Sequence, residues 1–180
     1  MTMQNLVYRA LREHEIDRGL FAQFERRQVV TDCWRREGGA WVIRPCPFVD
    51  AWSEADYAKL VYDLRGTIKS GGVVFAAFSD GALKGFASVS GTLLGSREQY
   101  ADLTSLHVSA ELRRRGAGRT LFGLAADWAR RAGAKKLYIS AHSAAETQAF
   151  YRALGCADAL EPQQEHVSAE PFDCQLEYVL

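Results

Sequence analysis

No apolar stretch in this chain of 180 residues approaches the roughly 20 needed for a membrane-spanning helix. No basic segment followed by an apolar core opens it, so a secretory leader is not expected. Cysteine is scarce and scattered: Cys33, Cys46, Cys156 and Cys174 form no Cys-x-x-Cys pair and have no histidine at ligand spacing. That predicts no metal site and reduced thiols, hence a cytoplasmic setting. Net charge is missing too, since 22 Lys and Arg balance 22 Asp and Glu. A dedicated nucleic-acid binder would carry a basic excess, so neither nucleic acid nor membrane is expected as a partner. No repeat or linker interrupts the chain, and its length suits a single domain over 1–180.

The charge that is present is unevenly placed. From Leu112 to Lys136 the only acid is Asp127, against Arg113, Arg114, Arg115, Arg119, Arg130, Arg131, Lys135 and Lys136. A neutral chain with one basic segment suits a small polyanion better than a long duplex. Just upstream, Leu106 and Val108 alternate with Ser105 and His107 as in a strand. Gly116 and Gly118 follow, and Leu121, Phe122, Leu124, Ala125 and Trp128 then recur at helical spacing. Glycines at such a turn let a phosphate approach the free N–H groups of a helix start. The segment reads as a pyrophosphate cradle.

The remaining pattern alternates short strands with helices. Strands are expected at 5–10, 73–78, 85–93, 100–108, 135–141 and 172–180, the last with one face exposed. Residues 13–27 carry a mixed helical pattern, and 52–68 a better one, with Ser53 as cap and Asp56 three residues on. A helix over 119–132 ends at Gly133, and Ser143 with Glu146 predicts a capping box for a helix reaching Leu154. Residues 30–50 hold Trp34, Trp41 and Phe48 without clean periodicity. The order predicts a mixed α+β fold with a central, mostly antiparallel twisted sheet flanked by helices.

Two motifs carry a family resemblance. Arg113, Gly116 and Gly118 match the Gln/Arg-x-x-Gly-x-Gly/Ala signature of the GNAT superfamily, the acyl-CoA-dependent N-acetyltransferases. Phe150, Tyr151 and Gly155 are similar to the Phe-Tyr-x-x-x-Gly pattern of its later helix, and the clear likeness spans about 72–157. The resemblance implies transfer of an acetyl group from acetyl-CoA to a primary amine of a small molecule or peptide, by direct attack and without a metal. Leu106, His107 and Val108 would lie along the pantetheine arm. Arg113, Arg114, Gly116, Ala117, Gly118, Arg119 and Thr120 would surround the pyrophosphate, leaving residues 11–71 on the acceptor side. A homodimer is one expected assembly. A non-catalytic acyl-CoA sensor or scaffold is the alternative, against which a phenol beside the sulfur argues.

That phenol is Tyr151, the expected proton donor to the leaving thiolate, because a group with a pKa near 10 is protonated at neutral pH. The proton acceptor is expected at Asp102, six residues before Val108, where the histone-acetylating branch has glutamate. Strand alternation would put Asp102, Thr104, Leu106 and Val108 on one face. Glu98 and His166 are the alternatives. The family's asparagine seven residues before the tyrosine is Ala144 here, with His142 and Ser143 just upstream. Trp34, Trp41, Phe48 and Trp52 either wall an acceptor pocket, offering cation–π contact, or anchor a long loop.

Overall fold

The computed structural model describes residues 6–180. The strands in chain order are β1 (Val7–Ala10), β2 (Arg27–Glu37), β3 (Ala40–Ala51), β4 (Val73–Ser79), β5 (Ala82–Leu94), β6 (Tyr100–Val108), β7 (Lys136–Ala141), β8 (Ala157–Asp158) and β9 (Cys174–Val179). The helices are α1 (Glu54–Lys69), α2 (Ala117–Arg131), α3 (Ala145–Leu154) and α4 (Gln164–Ala169). Residue 5, where the first strand was expected to begin, lies outside the described residues.

Seven strands form one sheet in the order β1-β4-β5-β6-β7-β9-β8, and β2 with β3 forms a separate hairpin. Every described pairing is antiparallel except β6 with β7. The expected mixed sheet is therefore present. Each face buries a different cluster. Leu121, Phe122 and Ala125 of α2 pack on Ala101, Leu103, Leu137 and Ile139. On the other face, Tyr57 and Leu64 of α1 close over Ile16, Phe21, Val74 and Phe86. The α1 cap is as expected: Asp56 N–H donates to the Ser53 hydroxyl at 3.2 Å, and Ser53 N–H to the Asp56 carboxylate at 2.7 Å.

Four expectations need correction. Residues 13–27 are not helical but hold two 3₁₀ turns, Glu13–Glu15 and Gly19–Phe21. There the Asp17 carboxylate takes the N–H of Leu20 at 2.9 Å, a local bond that competes with helix formation. Residues 30–50, without clean periodicity in the sequence, lie within the β2–β3 hairpin. Gly38 and Gly39, at φ 56° and 80°, supply the paired positive φ of a tight hairpin turn. A bulge between Val30 and Asp32 breaks the alternation that would have marked the strand.

The other two corrections concern the second half of the chain. Ser143 does not cap α3, whose N-cap is Ala144 with no side-chain bond. The Ser143 hydroxyl instead accepts from Arg35 at 2.8 Å and its carbonyl from Trp34 N–H at 2.7 Å, so the hairpin has taken the capping group. Strand β9 is open only at its end, where Val179 is 67% exposed, and is covered on both faces over most of its length, with Glu177 only 6% exposed. Its carboxylate accepts from Tyr100 Oη and Lys136 Nζ, both at 2.6 Å.

Candidate active site

Strands β6 and β7 pair over only three residues, Tyr100 to Asp102 against Lys136 to Tyr138. Beyond them the strands part: β6 continues along β5, and β7 along β9. The fork opens a cleft of about 620 Å³, lined on one side by Leu103 to Val108 and on the other by Ile139 to His142. A sheet that splits in this way leaves backbone polar groups of both strands facing the gap, where a ligand can take them up.

Of the residues expected to hold a cofactor, Leu106, His107, Val108, Arg113, Arg114, Gly116, Gly118 and Arg119 line this cleft, whereas Ala117 and Thr120 do not. Thr120 is occupied locally, since its N–H donates to the Gly116 carbonyl at 3.0 Å and its hydroxyl to the same oxygen at 3.3 Å. The N–H groups of Ala117, Gly118 and Arg119 precede it in the first helical turn, where no intrahelical acceptor exists. They sit at the positive end of the helix dipole. Gly116 is needed for its backbone, at φ 86°, whereas Gly118 is needed for closeness. A Cβ there would lie 3.3 Å from the Phe150 ring and 3.7 Å from Val108. Arg113 folds back to donate to the Val108 carbonyl at 3.3 Å, and exposed Arg114 pairs with Glu146 at 3.2 Å.

His107 is wedged against Trp52 and Phe86, with ring centroids 4.8 and 5.4 Å away. Burial, with the nearby charges of Arg26 and Arg113, depresses its pKa to about 3. The ring is neutral at physiological pH. Arg26, which sequence reasoning passed over, reaches the same cleft while paired with Asp50 and set 5.4 Å from the Trp52 ring.

Tyr151 projects from α3 into the cleft on the α2 side, 6.3 Å from Phe122 and 5.1 Å from Phe150. Burial above all, then Cys156 and Asp173, pushes its phenol above the usual range, so it stays protonated. The loop before α3 is held by buried Gln148, which donates to the His142 carbonyl at 2.9 Å. His142 Nδ1 accepts the Ala144 N–H at 3.0 Å, so the position that departs from the family pattern lies in a tied turn.

Asp102 does not share a face with Leu106 and Val108. Opposite β5, Ser88 pairs with Ser105 while Val89 pairs with Leu103, so Thr104 is an extra residue in β6. One extra residue reverses the parity of everything beyond it. Leu103, Leu106 and Val108 pack on the α2 side, whereas Asp102 sits on the opposite face. There it bonds His166 Nε2 at 2.8 Å, and His166 stacks on Tyr138 at 5.4 Å. The hydrogen bond to Asp102 raises the His166 pKa against a smaller opposing effect of burial. Two of the three candidate bases therefore stand together. The third, Glu98, is exposed in the turn before β6 and lines neither cavity of the fork.

The aromatic residues of 34–52 do not form one wall. Trp34 and Trp41 lie 5.9 Å apart and anchor the hairpin, Trp34 beneath Arg152 and Trp41 donating to Asp158 at 3.0 Å. Phe48 meets His142 at 5.6 Å, and Trp52 meets His107. Among the described residues, no group of three or more His, Cys, Asp and Glu could hold a metal ion.

The forked sheet and the glycine-rich helix start define an acyl-CoA-dependent transferase by class. The model of the acetyltransferase (GNAT) family matches residues 27–156, and the chain belongs to that family of acetyltransferases. A solved nourseothricin acetyltransferase is similar in fold, with TM-score 0.65 and 21% identity over 96% of this chain and 95% of that one. A putative streptothricin acetyltransferase from Bacillus anthracis, solved with acetyl coenzyme A, gives TM-score 0.69 and 14% identity over 98% of both chains. The PaiA N-acetyltransferase of Thermoplasma acidophilum, solved with coenzyme A, gives 0.60 and 15% over 98% and 99%. No curated protein matches the chain.

Proposed function

We propose that the chain is one acetyltransferase domain that moves the acetyl group of acetyl-CoA to a primary amine of a small molecule or peptide by direct attack. The observation that carries this reading is the fork itself, with Tyr151 on one side of the sheet and Asp102 on the other. The residues present suit the cofactor. The free N–H groups at the start of α2, with Arg113, Arg114 and Arg119, would hold its phosphates, and Leu106 to Val108 its pantetheine arm. When bound, acetyl-CoA supplies an acetyl thioester whose carbon–sulfur bond breaks as the nitrogen–carbon bond forms.

The chain's own residues manage two protons. An ammonium ion must lose one before nitrogen can attack, and Asp102 with His166 offers acceptor capacity on the face away from α2. Tyr151 holds the other at its Oη, at the cleft, ready for a departing thiolate. Residues 72–157 would then form the cofactor side and 11–71, with α4, much of the acceptor side. Thiol release from acetyl-CoA tests this across diamines, amino acids, aminoglycosides and peptides, with mass detection of the product. Nourseothricin and streptothricin join the panel as acceptors named for two structural neighbours. An acetylated amine formed one-for-one with free thiol is expected. CoA binding with no transfer to any amine would instead make the chain an acyl-CoA sensor.

A further inference from the structure

A second cavity, about 340 Å³, lies on the face of the fork away from α2. It shares Leu103, Thr104 and Ser140 with the cofactor cleft, so the two meet where β6 and β7 part. Its acids are Asp102, Asp173 and Glu170. Asp102 is the decisive one: its side chain is only 9% exposed, and its Oδ1 has no hydrogen-bond partner among the described residues. A buried carboxylate oxygen left without a donor is costly unless something supplies one. Asp173 bonds only the Ser140 hydroxyl among the described side chains, at 3.1 Å, and neither it nor Glu170 enters an ion pair there. The single lysine at the cavity, Lys59 of α1, is already paired with Asp63.

One reacting amine needs one carboxylate beside it, and this cavity offers three. We propose that the cavity is a cation subsite and that the acceptor is an amine carrying a second positive charge. In this arrangement the reacting nitrogen lies near Asp102 at the fork, and the second charge lies over Asp173 and Glu170. The proposal rests on the transferase reading for the identity of the reacting amine, but the subsite is a matter of binding and is tested as such.

The groups facing the cavity also fix its pH dependence. Asp102 comes from β6, Lys59 from α1, His166 and Glu170 from α4 and its end, and Asp173 from the turn before β9. Glu165 and His142 stand nearby and act on His166 and Asp173 respectively. The Asp102 bond raises the His166 pKa, and burial raises that of Asp173. As pH falls, His166 gains a positive charge and Asp173 loses a negative one. Both changes oppose a bound dication.

The test is calorimetry on the protein–CoA complex at pH 8 and pH 6, with butane-1,4-diamine and butylamine as probes. At pH 8 the diamine should bind at least tenfold tighter than the monoamine, and the ratio should fall at pH 6. Asp173→Asn combined with Glu170→Gln should bring the ratio within about twofold. Thermal unfolding shows whether that variant folds, and the wild-type ratio and its pH dependence need no variant. Equal affinities for the two probes, or a preference that survives the double substitution, would overturn the subsite. Diamine binding of the expected pattern with no acetyl transfer would leave the subsite standing and remove the transferase reading instead.

Discussion

Tyr151 and His107 show how burial sets a residue's chemistry. Each is partly enclosed by aromatic rings, and in each burial disfavours the charged form. For Tyr151 the result is a retained proton. Tyr151→Phe should lower kcat by about 10²–10⁴-fold with CoA affinity nearly unchanged, since the hydroxyl matters only as the thiolate departs. Steady-state kinetics beside calorimetry separates the two, and an unchanged kcat would make the ring a packing residue. For His107 the result is a titration. Its pKa is 6.5 for the free side chain and about 3 in the fold. Below 6.5 the unfolded chain binds a proton that the folded chain refuses, so its contribution to stability is present above that value and lost as pH falls. The limiting slope is about 1.4 kcal/mol per pH unit. Urea unfolding of His107→Gln should lose stability less steeply than the parent between pH 6.5 and about 4.5. Equal slopes would mean that protons reach the folded ring.

Among the elements, the start of α2 was the most legible from sequence. Its glycines, arginines and helical spacing are all local, and they lie where the motif put them. Their two glycines predict different failures. Gly116→Ala meets no atom within 4 Å but keeps a φ of 86°, so it should cost about 1–2 kcal/mol of stability and leave CoA binding measurable. Gly118→Val would drive side-chain atoms into Phe150 and displace α3 from α2, so calorimetry should show CoA affinity lost while the protein remains folded. What was not legible depends on distant partners. Ser143 and Glu146 spell a capping box, yet Arg35 and Arg114 claim them from 108 and 32 residues away. The hairpin is hidden in the sequence because the bulge after Val30 breaks the alternation that would have marked its strands. Asp102 is marked in the sequence only by its spacing from Val108, and the alternation offered for its face fails at Thr104. Asp173 gave no local signal at all, since only the return of β9 beside β7 brings it to Ser140.

For the whole molecule, the closed end of the fork is what holds the open end apart. Glu177 of β9 ties Tyr100 of β6 to Lys136 of β7 and also takes the N–H of Leu160 at 3.1 Å. Glu177→Ala would leave those donors facing each other without an acceptor. Breaking a buried pair in this way costs about 3–5 kcal/mol, and the melting temperature should fall sharply. Glu177→Gln, which retains an acceptor, should lose less. The parting of β6 and β7 has a further consequence. It puts a missing strand in the middle of a sheet, where most proteins confine unpaired edges to the rim. Beyond the extra residue Thr104, alternate amides of β6 point to β5, while the others face the slot and are open to exchange with solvent. A bound ligand that acts as a surrogate strand would silence that second set alone. Amide exchange over residues 105–108 should therefore show an every-other-residue rhythm without CoA and uniform protection with it.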